Sequence, residues 1–254
     1  MDNFNITTTA TLRPELLEKT LQTFTDNLFK EDLQKAHLLI NIDHAGVPNN
    51  DKEEITFRLI EIYKVLDSFD FGSYKINHGS KPHFPSAFMW TMKNIKYPLF
   101  FNLEEDWELL YEVDFQRMVS MFDRYKDLAH LRLSFFNSEE KTCKNWNKFL
   151  EWNGDFFEVP DDLRGVVGFC GHPSLNASNF MIECLPYISV SSNPEKQIKG
   201  HNMAIARIIN RHRFGSFQEQ NKSKAINDTG RQWMVKNNFK KAGSKAFFVE
   251  WEEC

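Results

Sequence analysis

The stretch KYPLFFNLEEDWELL, residues 96–110, drives an apolar run of strand length into three consecutive acids, Glu104, Glu105 and Asp106, and then a tryptophan. Neighbouring like charges repel, so a buried strand ending this way either opens into a solvated turn or meets something positive. The surrounding pattern tells which.

Upstream, Phe4, Ile6 and Thr8 alternate as a strand does, and RPELLEKTLQTFTDNLF follows. Leu17, Leu21, Phe24 and Leu28 step by four, three and four, the stripe of an amphipathic helix, with Pro14 in its first turn. AHLLINID (36–43) reads as a buried strand ending in a turn with Gly46 and Pro48, and residues 52–69 carry a second helical stripe. SYKINH is a short strand, FPSAFMWTMKNI a helix, and PLFFNL the next strand. Strand and helix in strict alternation predict a mainly parallel α/β sheet flanked by helices. Ligands of such sheets gather at the carboxyl ends of the strands, where Thr8, Thr9, Asp43, His78 and Glu104–Asp106 are expected to fall.

Beyond Trp107 the rhythm changes. A helix is expected over 113–126 and a strand in HLRLSFF, then a loop-heavy insert over 137–162. GVVGFC is a short apolar run, a helix is expected to start at Pro194 behind the cap Asn193, and AFFVEW closes the chain as a strand.

The 254 residues suffice for one large domain, and 24 Phe with 6 Trp suit a packed interior or a stacking pocket. No apolar run approaches the ~20 residues that span a bilayer, and no signal-peptide pattern opens the chain. The spacing of Cys143, Cys170, Cys184 and Cys254 fits neither a zinc site nor a disulfide framework, so free thiols and a cytoplasmic location are expected. The net charge of −4 hides a basic block: Lys196 to Lys245 holds twelve Lys and Arg against Glu219 and Asp228. Such a block is a solvated face or a partner for phosphate.

Three carboxylates after a buried strand suit a divalent cation bound to phosphates, since Mg²⁺ and Mn²⁺ take hard oxygen ligands from one or two carboxylates plus phosphate and water. ITTTATLRPELLEKTLQTF (6–24) and FFNLEEDW (100–107) resemble nucleotide-sugar-dependent glycosyltransferases of the GT-A fold, family 2-like. The first matches their opening strand and helix; the second matches their DxD motif in an acid-triplet variant followed by Trp. The resemblance covers most of the chain in order and is strongest over 5–25 and 98–107. It implies a single GT-A-like domain, with residues 1–110 holding the donor and 111–254 the acceptor side. It further implies Mn²⁺ or Mg²⁺ on Asp106, with Glu104 next, and Thr8, Thr9, Arg13 and Glu105 against the donor. Asp43 would lie near the base or ribose. Structural roles also suit these residues: Thr at a strand end, Arg13 as a surface residue, Asp43 opening a turn.

In SSNPEKQIKGH (191–201), Glu195 is the expected general base for an inverting transfer, although the helix dipole favours an acid there in any case. His201 is a candidate metal ligand and equally an ordinary helix residue. NDTGRQWMVKNNFKK (227–241) resembles a C-terminal segment that returns to the site in some GT-A enzymes, making Arg231 a diphosphate partner or else a surface charge. In GFCGHPSLNASNF (168–180) the resemblance implies a loop facing the acceptor. The implied partners are a nucleotide-diphosphate-sugar and a hydroxyl acceptor: a glycan, a lipid-linked glycan or modified nucleic acid.

No dinucleotide fingerprint, GxxxxGK[ST] loop or GxSxG elbow occurs, which removes dehydrogenase, P-loop and hydrolase readings. A nucleotidyltransferase shares the metal acids but would carry a glycine-rich loop, and TTTATLRPE has no glycine. A nucleic-acid-binding protein using the basic block, with Phe214, Phe217, Trp233 and Phe239 for stacking, is the non-catalytic alternative.

Overall fold

The computed structural model describes residues 2–47, 51–79, 81–135, 146–218, 224–237, 239–242 and 250–253. The chain runs β1 (Phe4–Ala10), α1 (Pro14–Phe24), β2 (Ala36–Asp43), α2 (Lys52–Asp67), β3 (Ser73–Gly79), α3 (Phe84–Lys93) and β4 (Leu99–Asn102). It continues through β5 (Trp107–Leu109), α4 (Phe115–Arg124), β6 (Leu128–Leu133), the short strands β7 (Glu151–Trp152) and β8 (Phe157–Glu158), β9 (Ser174–Ala177) and α5 (Ser178–Cys184). The last part holds α6 (Pro194–Lys196), α7 (Met203–Ile209), β10 (Arg213–Phe217), β11 (Ile226–Asp228), α8 (Gly230–Lys236), β12 (Phe239–Ala242) and β13 (Glu250–Glu253).

Nine strands form one sheet in the order β3-β2-β1-β4-β9-β6-β10-β8-β7. The first four are parallel, as the alternation predicts. β9 then runs antiparallel between β4 and β6, which reverses the sheet once before the parallel pair β6 and β10. SLNA carries no β-branched or aromatic residue and reads as loop, yet fully buried neighbours on both sides impose the strand. The apolar run at 165–170 forms a helical turn over Arg164–Gly168, in which Val167 and Gly168 are buried and Val166 is exposed. Of AFFVEW only the last two residues lie among the described ones, within β13.

The helix stripes cover both faces. Leu17, Leu21 and Phe24 of α1, Ile62 and Leu66 of α2, and Phe115, Met118 and Met121 of α4 bury one face against Phe4, Ile6, Leu38, Ile40 and Phe101. Phe4, Phe24, Phe29, Phe101 and Phe115 meet there with ring centroids 5.1–6.4 Å apart, so much of the phenylalanine is core rather than pocket. On the opposite face Phe88, Met89 and Met92 of α3, Phe180 and Met181 of α5, and Ile205, Ile208 and Ile209 of α7 pack over Phe100, Ala129 and Phe214. Among the described residues no helix is long and apolar enough to cross a membrane.

Two features position the site. Parallel pairing of β1 to β4 brings their carboxyl ends to one edge. A separate two-stranded ladder, β5 with β11, then ties the segment after the three acids to the C-terminal region, with Trp107 opposite Asp228.

Candidate active site

At the end of β4, Leu103 donates its N–H to Thr7 O at 2.9 Å and stays fully buried, carrying the ladder one residue further before the acids leave the sheet. The three carboxylates then diverge. Glu105 turns inward, where its Oε1 accepts from Thr11 N (3.1 Å), Thr11 Oγ1 (3.0 Å), Arg13 Nε (3.2 Å) and, in a short contact, Arg13 Nη2. Thr20 Oγ1 donates to the Glu105 carbonyl at 2.7 Å. Arg13 Nη2 also donates to Asp106 Oδ2 at 3.1 Å.

One guanidinium thus serves two of the three acids and leaves the cluster two charges short. Burial, with the charges of Asp106, Glu105 and Glu195, pushes the Glu104 carboxyl well above the usual carboxylate range. Burial and Glu105 likewise push Asp106 up to about 6, against the pull of Arg13. Burial alone would lower the Arg13 pKa, but Glu105 and Asp106 raise it, so Arg13 is a permanent cation. A divalent cation fits this deficit in charge and in ligand chemistry. Among the described residues no three His, Cys, Asp or Glu side chains converge to hold a metal alone. Glu104 and Asp106 would therefore supply two oxygens and leave the other positions to phosphate and water.

The C-terminal segment docks on these acids. Thr229 donates to the Asp106 carbonyl from its backbone N (2.9 Å) and from Oγ1 (2.8 Å). Gly230 follows so closely that a Cβ there would overlap Asp106 Oδ2. Trp233 lies under Arg13, its ring centroid 5.4 Å from the guanidinium carbon; Nε1 donates to Glu15 at 2.5 Å, and Phe239 stacks on it at 5.5 Å. The segment thus lies against Asp106, while Arg231 itself is 81% exposed and pairs with Asp228 at 3.2 Å.

In the loop before β9, the Gly171 carbonyl accepts from Asn102 Nδ2 at 3.0 Å. The point where a Cβ on Gly171 would sit lies 3.7 Å from Glu104 Oε1 and 3.8 Å from Glu195 Oε2. The two carboxylates therefore face one small space across a residue that has no side chain. Asn193 caps the turn bearing Glu195 by accepting from Lys196 N at 3.1 Å, and Lys199 pairs with Glu195 at 2.5 Å. His172 packs against Trp107 and Phe135, with both centroid distances 5.2 Å. The side chain of His201 lies outside what the structure describes.

At the ends of β2 and β3, Asp43 accepts from Asn41 Nδ2 (2.9 Å) and from His83 N (3.0 Å). Burial raises its pKa in spite of these donors, and Glu105 adds to the rise. His44 and His78 stand 6.0 Å apart, and His78 Nε2 meets Tyr63 Oη at 2.9 Å. Thr8 and Thr9 lie inside β1, opposite Ile40 and Asn41; Thr8 Oγ1 is buried and has no partner, and Thr9 is half-buried. Arg13, expected against the donor, is enclosed as the counterion of Glu105 and Asp106.

Sequence reasoning passed over Thr11 and Thr20, and it took in Thr229, Gly230 and Gly171 only as parts of longer segments, with no role of their own. Each acts through its backbone, a hydroxyl or an absent Cβ, and none has a pattern visible before residues 11, 105, 171 and 230 are brought together. Part of the basic block is spent internally: Lys199, Arg211, Arg213 and Arg231 each pair with a carboxylate.

No family model matches the sequence, and no curated protein matches it at the sequence level. Solved structures do match in fold. S. aureus TarS superposes with a TM-score of 0.57 at 8% identity over 89% of this chain and 36% of its own. TarS 1–349 in complex with UDP-GlcNAc gives 0.53 at 10% identity over 87% and 60%. Mannosyltransferase PcManGT from Pyrobaculum calidifontis, in complex with GDP-Man and Mn²⁺, gives 0.55 at 7% identity over 87% and 56%. The chain thus spans between about a third and three fifths of the length of these proteins. At such identities the likeness is one of architecture, and the architecture is the GT-A-like α/β fold expected from the sequence.

Proposed function

We propose that this protein is a metal-dependent glycosyltransferase that moves a sugar from a nucleotide-diphosphate donor to a hydroxyl acceptor, with inversion. The observation that carries the reading is the arrangement around Gly171. Two under-compensated carboxylates, Glu104 and Asp106, end a parallel strand, and a third, Glu195, faces Glu104 across the glycine. The fold is shared with proteins whose structures hold UDP-GlcNAc and GDP-Man with Mn²⁺, which supports this donor class and this cofactor.

Asp106 and Glu104 would hold Mn²⁺ or Mg²⁺, which when bound supplies Lewis-acid neutralisation of the diphosphate. Glu105 and Arg13 keep Asp106 in place, and Asp43 stands at the end of β2 for the base or ribose. Thr8 and Thr9 line the strand beneath. Glu195 accepts the acceptor hydroxyl's proton as the new C–O bond forms and the sugar–phosphate bond breaks, and Lys199 holds that carboxylate in position. On this reading residues 1–110 bind the donor and 111–254 supply the acceptor side. Arg231 would reach the diphosphate only after leaving Asp228. On sequence grounds His201 would be a further metal ligand.

The test is a melting-temperature panel of nucleoside diphosphates and nucleotide-sugars, each with and without Mn²⁺, on the native chain and on Asp106→Ala. A ligand at ~100 times its dissociation constant stabilises by about 2.7 kcal/mol. A metal-dependent shift confined to one nucleotide family and lost in the variant is the expected result. No shift with any of them, from a folded chain, overturns the reading.

A further inference from the structure

The sheet register places a second reactive constellation behind Gly171, outside the proposed transfer machinery. His130 of β6 lies opposite Asn176 of β9, and its Nδ1 stands 2.6 Å from Asn176 Oδ1. Asn176 Nδ2 already donates to Ser174 O at 2.9 Å and to Ser174 Oγ at 3.1 Å, so Oδ1 is the acceptor and Nδ1 carries the proton. The unprotonated Nε2 then faces Cys170 Sγ at 3.6 Å. A nucleophile, a base and a residue that orients the base are thereby in line.

Arg132, two residues along β6 on the same face, is 7% exposed. Its Nη1 donates to Val167 O at 2.7 Å and lies 3.9 Å from Cys170 Sγ; among the described residues no carboxylate pairs with it. A buried guanidinium without an acid is strongly unfavourable, and the sulfur is the group beside it that can carry the compensating charge. Burial by itself would push the Cys170 thiol up, but the charges of His172 and Arg132 and hydrogen bonds from His130 and His172 outweigh it and hold the thiol well below its ordinary range. Cys184 provides the contrast within one molecule: burial with no such cations pushes it up to about 12.

We propose that Cys170 is a modification site, a nucleophilic thiol primed by His130, Asn176 and Arg132 that reacts with hydrogen peroxide to give a sulfenic acid. His130 Nε2 takes the thiol proton, and Sγ attacks one peroxide oxygen as the O–O bond breaks. The sulfur loses two electrons, and the departing hydroxide takes the proton from His130 and leaves as water. Cys170 is 6% exposed, which selects a small oxidant over a protein thiol.

The full chain is incubated with hydrogen peroxide between pH 5.5 and 9, then unfolded and quenched with excess iodoacetamide. Peptide mass spectrometry reads the unlabelled fraction at each cysteine. At pH 7 Cys170 should oxidise at least tenfold faster than Cys184, with a rate that holds level below pH 7. Arg132→Gln should slow it about tenfold and Arg132→Lys should retain most of it. Should Arg132→Gln fail to fold, the native pH profile decides alone. Oxidation no faster than that of Cys184, or a rate falling tenfold per pH unit below about pH 8.5 as for an ordinary thiol, overturns the proposal.

Discussion

Arg13 and Glu105 form a buried ion pair that joins the start of α1 to the end of β4, and it settles which of three adjacent acids remain available. Glu105, central in sequence, is consumed by four donors on residues 11 and 13, while Asp106 keeps one contact with Arg13 and Glu104 receives none from it. The charges that seemed to need an external cation are one third internally compensated.

Removing the guanidinium would leave Glu105 buried and unpaired, and breaking such a pair costs about 3 kcal/mol or more. Arg13→Met should lower the melting temperature by on the order of 10 °C. Adding Glu105→Gln should recover part of that, because the carboxylate no longer needs a partner. Full additivity of the two losses in thermal unfolding would contradict the pairing.

The pH dependence has a definite sign. Glu104 and Asp106 titrate above their unfolded values, so the folded chain binds their protons more tightly. Their protonation stabilises it at low pH, and that contribution is lost as pH rises from about 4 through about 6 for Asp106. In chelator, the native chain should therefore have a higher stability near pH 5 than near pH 7.5, with on the order of 1 kcal/mol traceable to Asp106. Asp106→Asn should flatten that part of the curve. An identical pH profile in the variant would show that Asp106 is not the strained group.

Gly230 touches Asp106 where no side chain fits. Alanine there must displace the carboxylate or the start of α8. Gly230→Ala is expected to weaken Mn²⁺-dependent diphosphate binding about tenfold while costing little in stability without metal. Calorimetry of UDP and GDP with Mn²⁺ checks this; native affinity in the variant would mean that Asp106 is free to move.

Glu195 faces Glu104 across Gly171 but is paired with Lys199 rather than with Arg13. Glu195→Gln keeps the shape and removes the base, so transfer should fall on the order of 100-fold or more while the donor-induced melting shift persists. Retention of turnover with an intact donor shift would reassign the base.

Much of the α/β alternation is legible from local pattern. The span Ala36–Asp43 is read to the residue because a strand buried on both faces is mainly apolar, here Leu38, Leu39, Ile40 and Ile42, and α1 declares itself through Pro14 and the Leu17, Leu21, Phe24 stripe. β9 is not legible, since Ser174–Ala177 owes its conformation to neighbours on both sides rather than to its own residues. The site divides in the same way. Glu104, Glu105, Asp106 and Glu195 stand out as carboxylates in telling contexts, but nothing local tells which of the three adjacent acids Arg13 encloses.

By itself the sequence determined the layered architecture, the sheet edge where charge collects and the residue types gathered there, because hydrophobic period and acid clustering are local properties. Only the tertiary structure decided that Arg13 belongs to Glu105, that Gly171 opens a space between Glu104 and Glu195, and that Gly230 presses on Asp106. Those depend on which distant backbones approach within a few ångströms, and that is set by strand order and register rather than by any neighbour in the chain.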